Sequence, residues 1–332
     1  MRSFEEDIVA KWKKPLELFD EKDVVRICAP MVRYSKLPFR CLVRRYGCDL
    51  ACTPMIISDS FVQSVKARDS DFTTNLLDRP LTVQFAARCG KDLADATEII
   101  VPFADGVDIN CGCPQRWAMK AGYGACLIKN PELIHDMVKQ TKSRVQTDFP
   151  VSIKIRIHND TRRTVEMCQR AEQAGVSWIT VHGRTIEQRS EPCSLETIKL
   201  IKDSVAIPVV ANGDIRSEAD IADVCAKTGV NGVMAARGIL SNPAMYAGFD
   251  SLPLQCLQDW LDLSLSLGIS FTHFHHHLIY MLEKVLCKPE RRVFNTLRSI
   301  PAVLNYLEEN FGISMTKDSE LTKRSENRLT IS

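Results

Sequence analysis

The sequence lacks several features, and each absence removes a class of protein. No run of about 18 apolar residues occurs, so no membrane-spanning helix is expected. No secretory leader is visible: residues 1–23 carry Glu5, Glu6, Asp7, Lys11, Lys13 and Lys14 where an apolar core would stand. Their acid content also argues against a mitochondrial transit peptide, which leaves an intracellular location, cytoplasmic with the nucleus open. No charge excess exists either, because 43 Lys+Arg face 41 Asp+Glu. Whole-chain charge therefore gives no reason for a polyanion partner, and any nucleic-acid contact must come from local patches. Low complexity is absent too; a hydrophobic share of 45% with 25% charged residues is ordinary globular composition.

Thirteen cysteines are present, an odd number spread along 332 residues. Without a leader, the expected state is reduced thiol, with most cysteines acting as small buried hydrophobes. The length suits one large α/β barrel followed by a smaller module.

Apolar runs of strand length recur at 24–30, 50–54, 81–86, 106–112, 151–157, 178–184, 207–213 and 232–238. Helical patterns fill the gaps. Asn130-Pro131 opens one helix, with Leu133, Ile134, Met137, Val138 and Val145 on one face. Segment 164–174 ends at Gly175, and 217–228 opens on a Ser217/Asp220 cap and stops at Gly229. Eight alternating units predict a (β/α)₈ TIM barrel over 24–248, preceded by an N-terminal extension, 1–23. A doubly wound sheet is the rival, but it seldom needs eight such even repeats. Beyond Asn242-Pro243 the strand signal stops. Segments 256–267, 271–286 and 289–311 read as helices, punctuated by Pro289 and Pro301, giving a helical module over 249–313. The polar stretch 314–332 is expected to be disordered.

Barrel strands are covered on both faces and should be almost wholly apolar. Several are not. Lys154 and Arg156 alternate with three isoleucines, Gln84 sits between Val83 and Phe85, Asp108 and Asn110 flank Ile109, and His182 follows Val181. One such residue is as easily a salt bridge or strand cap. Four strands with the same anomaly toward the C-terminal end point to a shared polar pocket. Asn212-Gly213-Asp214 and Ala236-Arg237-Gly238 end the last two strands, where this architecture usually binds phosphate. Arg237 supplies a fork for the anion, so a phosphorylated cofactor or substrate is expected.

Cys113 follows the fourth strand, in a loop opened by Gly112 and Pro114. A thiol there is a nucleophile, a metal ligand or a proton donor. Metal binding is disfavoured, since Cys111 and Cys113 lack a second Cys/His pair at finger spacing. A nucleophile wants an adjacent base, and no neighbouring His is evident. Proton donation suits a flavin or nicotinamide reduction. Cys111 reads as packed against the barrel.

Basic residues cluster locally. Segment 31–47 carries Arg33, Lys36, Arg40, Arg44 and Arg45 without an acid, and 113–129 carries Arg116, Lys120 and Lys129. These are solvated helix faces or a track for a phosphate backbone, with Trp117 and Tyr123 either stacking on a base or packing in the core. His273, His275, His276 and His277 sit on one helix; a metal site lacks further ligands, so a solvent- or RNA-facing surface is the default. His135 has no assigned role.

In series these motifs are specific. Cys28-Ala29-Pro30-Met31, Leu37-Pro38-Phe39-Arg40, Gln84, Asn110-x-Gly112-Cys113-Pro114, Gly122-x-Gly124-Ala125, Lys154-x-Arg156, Val181-His182-Gly183-Arg184-Thr185, Asn212-Gly213-Asp214 and Ala236-Arg237-Gly238 resemble the flavin-dependent tRNA-dihydrouridine synthases. Arg33-Tyr34-Ser35-Lys36 and the run 111–119 resemble the eukaryotic four-like branch, associated with uridines 20a and 20b of the tRNA D-loop. The resemblance covers roughly 24–245. It implies FMN as cofactor, NADPH as reductant, tRNA as partner and a tRNA-binding role for 249–313; no obligate protein partner is inferred. It implies Ala29, Pro30, Met31, Gln84, Lys154 and His182 around the flavin. Asn212, Gly213, Asp214, Ala236 and Arg237 would hold its phosphate. Cys113 would protonate uracil C5 as hydride reaches C6, with Asn110, Arg116 and Arg156 near the base. One departure is Glu191-Pro192-Cys193-Ser194-Leu195, where many relatives have a Gly- and Trp-containing turn. Two other readings remain: a barrel flavin oxidoreductase of a free, dihydroorotate-type pyrimidine, and an inactive tRNA-binding relative.

Overall fold

The computed structural model describes residues 12–315. Nine parallel strands form one sheet: β1 Val25–Cys28, β2 Leu50–Cys52, β3 Ile56–Ile57, β4 Leu81–Ala86, β5 Gly106–Cys111, β6 Val151–Arg156, β7 Ile179–His182, β8 Val209–Asn212 and β9 Gly232–Ala235. β1 pairs with β2 and β9, and β2 pairs with β4, which closes eight of them into a ring. All eight expected strands are present, most of them shorter than their apolar runs. β3 is an addition, two residues hung on Phe85 and Ala86 of β4. Two residues carry too little periodicity to be legible as a strand.

Local chemistry sets the helix ends. Asn130 caps Pro131–Arg144 by accepting from the Leu133 N–H, and Ser217 caps Glu218–Thr228 by accepting from the Asp220 N–H. Gly175 and Gly229 close their helices in the left-handed region. A further helix, Pro15–Glu21, lies within the expected N-terminal extension. Its Phe19 ring sits 5.6 Å from Trp178, just before β7, and also meets Gly232 at the start of β9, so this helix plugs the N-terminal end of the barrel.

The helical module comprises Leu254–Ser266, Phe271–Leu282, Lys288–Asn295 and Ile300–Phe311. The span 289–311 is thus two helices: Ser299 accepts from the Ala302 N–H and starts the second, with Pro301 in its first turn. Leu254–Ser266 lies on the barrel helix Leu37–Arg45, where Trp260 meets Phe39 edge-on at 6.3 Å. The histidines complete this seam rather than facing solvent. His277 is fully buried, stacks on Phe39 at 4.4 Å and donates from Nε2 to the Tyr34 carbonyl at 3.1 Å. His275 is also buried, with Nε2 hydrogen-bonded to the Phe294 carbonyl. The expectation of a solvent- or RNA-facing surface therefore fails for these two. No metal-binding cluster occurs among the described residues.

Burial pushes His277 down to about 3, with the Tyr34 bond opposing that shift. The unfolded imidazole takes a proton near its ordinary value of about 6.5, whereas the folded one refuses it until about 3. Stability contributed by this site is therefore full above that ordinary value and declines as pH falls toward 3. His277→Phe is expected to flatten the acid limb of a stability–pH curve by up to about 1.4 kcal/mol per pH unit, measured by urea unfolding. An unchanged slope would place the titration elsewhere.

Three of the five basic residues in 31–47 are structural. Arg40 is buried and grips Asp78 through Nε and Nη2 at 2.9 and 2.7 Å, while also donating to the Ser35 and Thr73 carbonyls. Arg44 reaches Asp78 and the Pro80 carbonyl, and Arg45 reaches Asp259. Arg40 and Arg44, committed to these partners, are not available to a phosphate track. Removing the acid leaves two guanidinium groups short of their counter-charge, so Asp78→Ala should cost about 3–5 kcal/mol in urea unfolding. A loss under about 1 kcal/mol would contradict the buried-pair account.

All thirteen cysteines are free thiols in the structure. Burial is less general than expected: Cys28, Cys48, Cys52, Cys111, Cys168 and Cys256 are buried, whereas Cys41, Cys89, Cys113, Cys126, Cys193 and Cys225 are half-buried and Cys287 is exposed. No helix among the described residues is long and apolar enough to cross a membrane. The stretch 316–332, most of the segment expected to be disordered, lies outside the described residues.

Candidate active site

Strand register brings the anomalous polar residues together. Gln84 lies opposite Asp108, Asp108 opposite Ser152, Asn110 opposite Lys154, and Arg156 opposite His182, itself opposite Asn212. Around the barrel they form two hydrogen-bonded groups, one on Asp108 and one on Asn212. Gln84 Nε2 donates to Asp108 Oδ2 at 2.8 Å, the Ser152 hydroxyl to Asp108 Oδ1 at 2.6 Å, and Asn110 Nδ2 to Gln84 Oε1 at 2.8 Å. Lys154 Nζ donates to Asn212 Oδ1 at 2.7 Å, and Asn212 Nδ2 to the Met234 carbonyl at 2.7 Å.

Burial controls the charges here. It raises Asp108 to about 6, against the bonds from Gln84 and Ser152, and lowers Lys154 to about 8, with Asp108 opposing. Burial, helped by Lys154, Arg156 and Arg184, drives His182 down to about 2, so that ring is neutral near neutral pH. Arg184 Nη1 lies 3.3 Å from His182 Nε2. A guanidinium only donates, which makes Nε2 the acceptor and puts the ring proton on Nδ1.

Cys113 is fixed by its backbone. Asn110 Oδ1 accepts from the N–H groups of Gly112 and Cys113 at 3.2 and 2.9 Å, and the Cys113 carbonyl accepts from the Ala125 N–H. Gly124 has φ +71°, and a Cβ there would stand 2.8 Å from that carbonyl, so glycine is required. The half-buried Cys113 packs against the cluster of Ala86, Ala118 and Tyr123, as do Met55 and Ile57. It lines a cleft of about 190 Å³ shared with Pro30, Val32, Gln84, Asn110, Lys154, Arg156 and His182. Arg156 is held by the Thr185 and Gln188 carbonyls at 2.7 and 3.1 Å.

His182 also lines a second, smaller cavity of about 60 Å³ with Asn212, Gly213, Ala236 and Arg237. Gly238 closes against the neighbouring loop, since a Cβ there would lie 2.3 Å from the Ile215 carbonyl. The first N–H groups of helix Arg237–Ser241 have no acceptor within the helix, as at any helix start. Asp214 has φ +56°, and its carboxylate accepts two bonds from the buried Arg184 at 2.7 and 2.6 Å. That leaves only its backbone N–H for an anion. Arg237 is more than half exposed, 3.7 Å from Asp214.

Most expected site residues therefore converge, but not all. Pro30 reaches the cleft, while Ala29 and Met31 are buried. Arg116 is exposed on Arg116–Lys120, outside the cleft-lining residues. Trp117 is exposed, whereas Tyr123 is buried and donates to Asp59 at 2.9 Å, which settles it as packing. Met55, Val32 and the supporting Ser152 had no role in the sequence reading. Arg184 stood within a motif there, but its grip on Asp214 needed the fold.

A closed parallel barrel with a thiol at one end of its polar mouth and a glycine–arginine loop pair at the other has the architecture of a barrel enzyme. Comparison makes this particular. The family model described as "Dihydrouridine synthase (Dus)" matches residues 27–326, and the chain belongs to that family. It is 58% identical over 301 residues, 90% of this chain and 93% of the relative, to the mouse protein named tRNA-dihydrouridine(20a/20b) synthase [NAD(P)+]-like. A human protein of the same name is 58% identical over 302 residues, covering 91% of this chain and 95% of its own. The Saccharomyces cerevisiae tRNA-dihydrouridine(20a/20b) synthase [NAD(P)+] is 40% identical over 294 residues, 86% of this chain and 80% of that one.

Proposed function

We propose that this chain reduces the C5=C6 bond of uridine to 5,6-dihydrouridine at positions 20a and 20b of tRNA, using FMN and NADPH. The carrying observation is the placement of Cys113, a backbone-fixed thiol in a cleft whose polar lining includes His182, which also lines the phosphate-sized cavity. The residues fit a planar, polar ring with a phosphate tail. Gly213 and Gly238 let the cavity wall pack closely against Cys193 and Ile215, and the mostly exposed Arg237 supplies a cation for the anion. Arg184 neutralises Asp214, which would otherwise repel a phosphate. Lys154, held by Asn212, offers a buried amine to electron-rich ring oxygens.

FMN, held there, would supply the hydride for C6, with NADPH as the source of its electrons. Cys113 Sγ–H supplies the proton to C5 and regains one from solvent. Gln84 and Asn110, locked amide to amide, hold the loop that aims the thiol. Arg156, its guanidinium fixed by two carbonyls, stands ready to bond a uracil oxygen. The target base must leave any stack to enter the cleft. Substrate choice between tRNA and a free pyrimidine is supported by the helical module and by exposed Arg33, Arg116, Lys120 and Lys129 around the mouth.

Purified protein is expected to carry FMN that NADPH bleaches anaerobically and unmodified tRNA re-oxidises. Re-oxidation by orotate or uridine but not by tRNA would favour the free-pyrimidine reading. Protein that never binds flavin would favour the inactive relative.

A further inference from the structure

A seam between the β1 loop and the helical module carries charges that the chemistry in the cleft does not use. Past Val32, at the cleft wall, the chain turns through Arg33, whose φ of +73° is rare for any residue but glycine. Tyr34 then docks on helix Phe271–Leu282, with its carbonyl on His277 and its ring edge-on to Tyr280 at 5.3 Å. This docking leaves Arg33 exposed and Lys36 half-buried beside half-buried His273 and His276. Ser270 Oγ and His273 Nδ1 are hydrogen-bonded at 2.6 Å, which orients the ring.

The surroundings of His273 are of one sign. Burial first, then Lys36, His276 and Arg33 hold it below the usual imidazole range. Among the described residues no carboxylate offsets them, although Lys36 Nζ also reaches the Ser70 carbonyl at 3.4 Å on Val65–Asp71, a helix that bears Asp69 and Asp71. Arg40, Arg44 and Arg45 of the same loop and helix have acid partners; among the described residues Arg33 and Lys36 have none. Two cations and an imidazole contributed by two parts of the chain thus stand at the cleft rim without a counter-ion.

We propose that Arg33, Lys36 and His273 seat a backbone phosphate of the RNA whose base occupies the cleft, and that His273 takes up a proton as that phosphate arrives. The proposal rests on the reading of tRNA as substrate. A phosphodiester matches the seat because it brings one negative charge close to each nucleotide, and Arg33 adjoins the cleft residue Val32. In the free protein the neighbouring cations disfavour the imidazolium. An arriving phosphate cancels their field and favours it, so binding is linked to proton uptake and tightens as pH falls. A phosphodiester itself has no titration in this range.

The test is the Kd of the FMN-loaded enzyme for unmodified tRNA, by fluorescence anisotropy at constant ionic strength from about pH 6 to about pH 8. The wild-type Kd should rise by about threefold to tenfold across that range. His273→Gln should bind at the weaker level throughout. His273→Arg, with a permanent charge, should bind tightly and without pH dependence. A flat wild-type curve, an equal slope in His273→Gln, or loss of slope only in His276→Gln would each overturn the proposal. So would a raised KM for NADPH in His273→Gln with tRNA affinity unmoved, since that assigns the seat to the dinucleotide's phosphate. Dihydrouridine formation at saturating tRNA separates the two ideas. Its absence from wild type removes the substrate reading, whereas product with a flat binding curve removes the seat alone.

Discussion

Replacing Cys113 with alanine should lower dihydrouridine formation by about 10²–10⁴-fold, the usual contribution of a positioned general acid. Flavin content and NADPH oxidation should stay at wild-type levels. The separation follows from geometry. Cys113 is anchored through its backbone, by Asn110 Oδ1 on one side and the Ala125 N–H on the other, so the loop survives loss of the sulfur. Its thiol sits in the cleft, whereas the glycine–arginine cradle belongs to the neighbouring cavity beyond His182. Product measured by mass spectrometry of digested tRNA, beside the flavin-to-protein ratio, reads both quantities. Unchanged product would remove Cys113 as the acid. Loss of flavin together with product would mean that the thiol supports the loop rather than the proton transfer.

The second large effect lies at the other end of the mouth. Arg237→Ala removes a mostly exposed cation of the cradle, beside Arg216, that pairs at 3.7 Å with Asp214, already held by Arg184. A charge-assisted contact of this kind is worth about 1.5–3 kcal/mol, so FMN affinity should fall by roughly ten- to a hundredfold. Gly238→Ala should do at least as much by a different route. Its Cβ would meet the Ile215 carbonyl at 2.3 Å, and that backbone must shift with the loop that carries Asp214. Equilibrium dialysis against FMN measures both. Full occupancy in both variants would exclude this cavity as the phosphate site.

Much of the barrel was legible because its signals are local. Lys154 and Arg156 interrupt an isoleucine run, and a polar side chain in a doubly covered strand has to point at something polar. Gly213 and Gly238 stood where the architecture binds phosphate, and both prove too close to neighbouring atoms for a Cβ. What escaped was non-local. Arg40, Arg44 and Arg45 looked unpaired because their acids lie at Asp78 and Asp259, far along the chain, and only folding brings them together. The histidines failed for another reason. His277 falls on the same stripe as Phe274, Leu278 and Met281, so its helical spacing places it in the core although its residue type suits the surface. Buried imidazole is acceptable there because Nε2 has the Tyr34 carbonyl. Met55 and Ile57 escaped because β3 and its preceding loop are too short to carry a pattern.

The most direct test of the account is mass-spectrometric mapping of tRNA after incubation with the purified FMN-bound protein and NADPH. Dihydrouridine should appear at positions 20a and 20b of unmodified tRNA, and should be absent without NADPH. Quantitative recovery of uridine at both positions, from protein that carries reducible flavin, would contradict it.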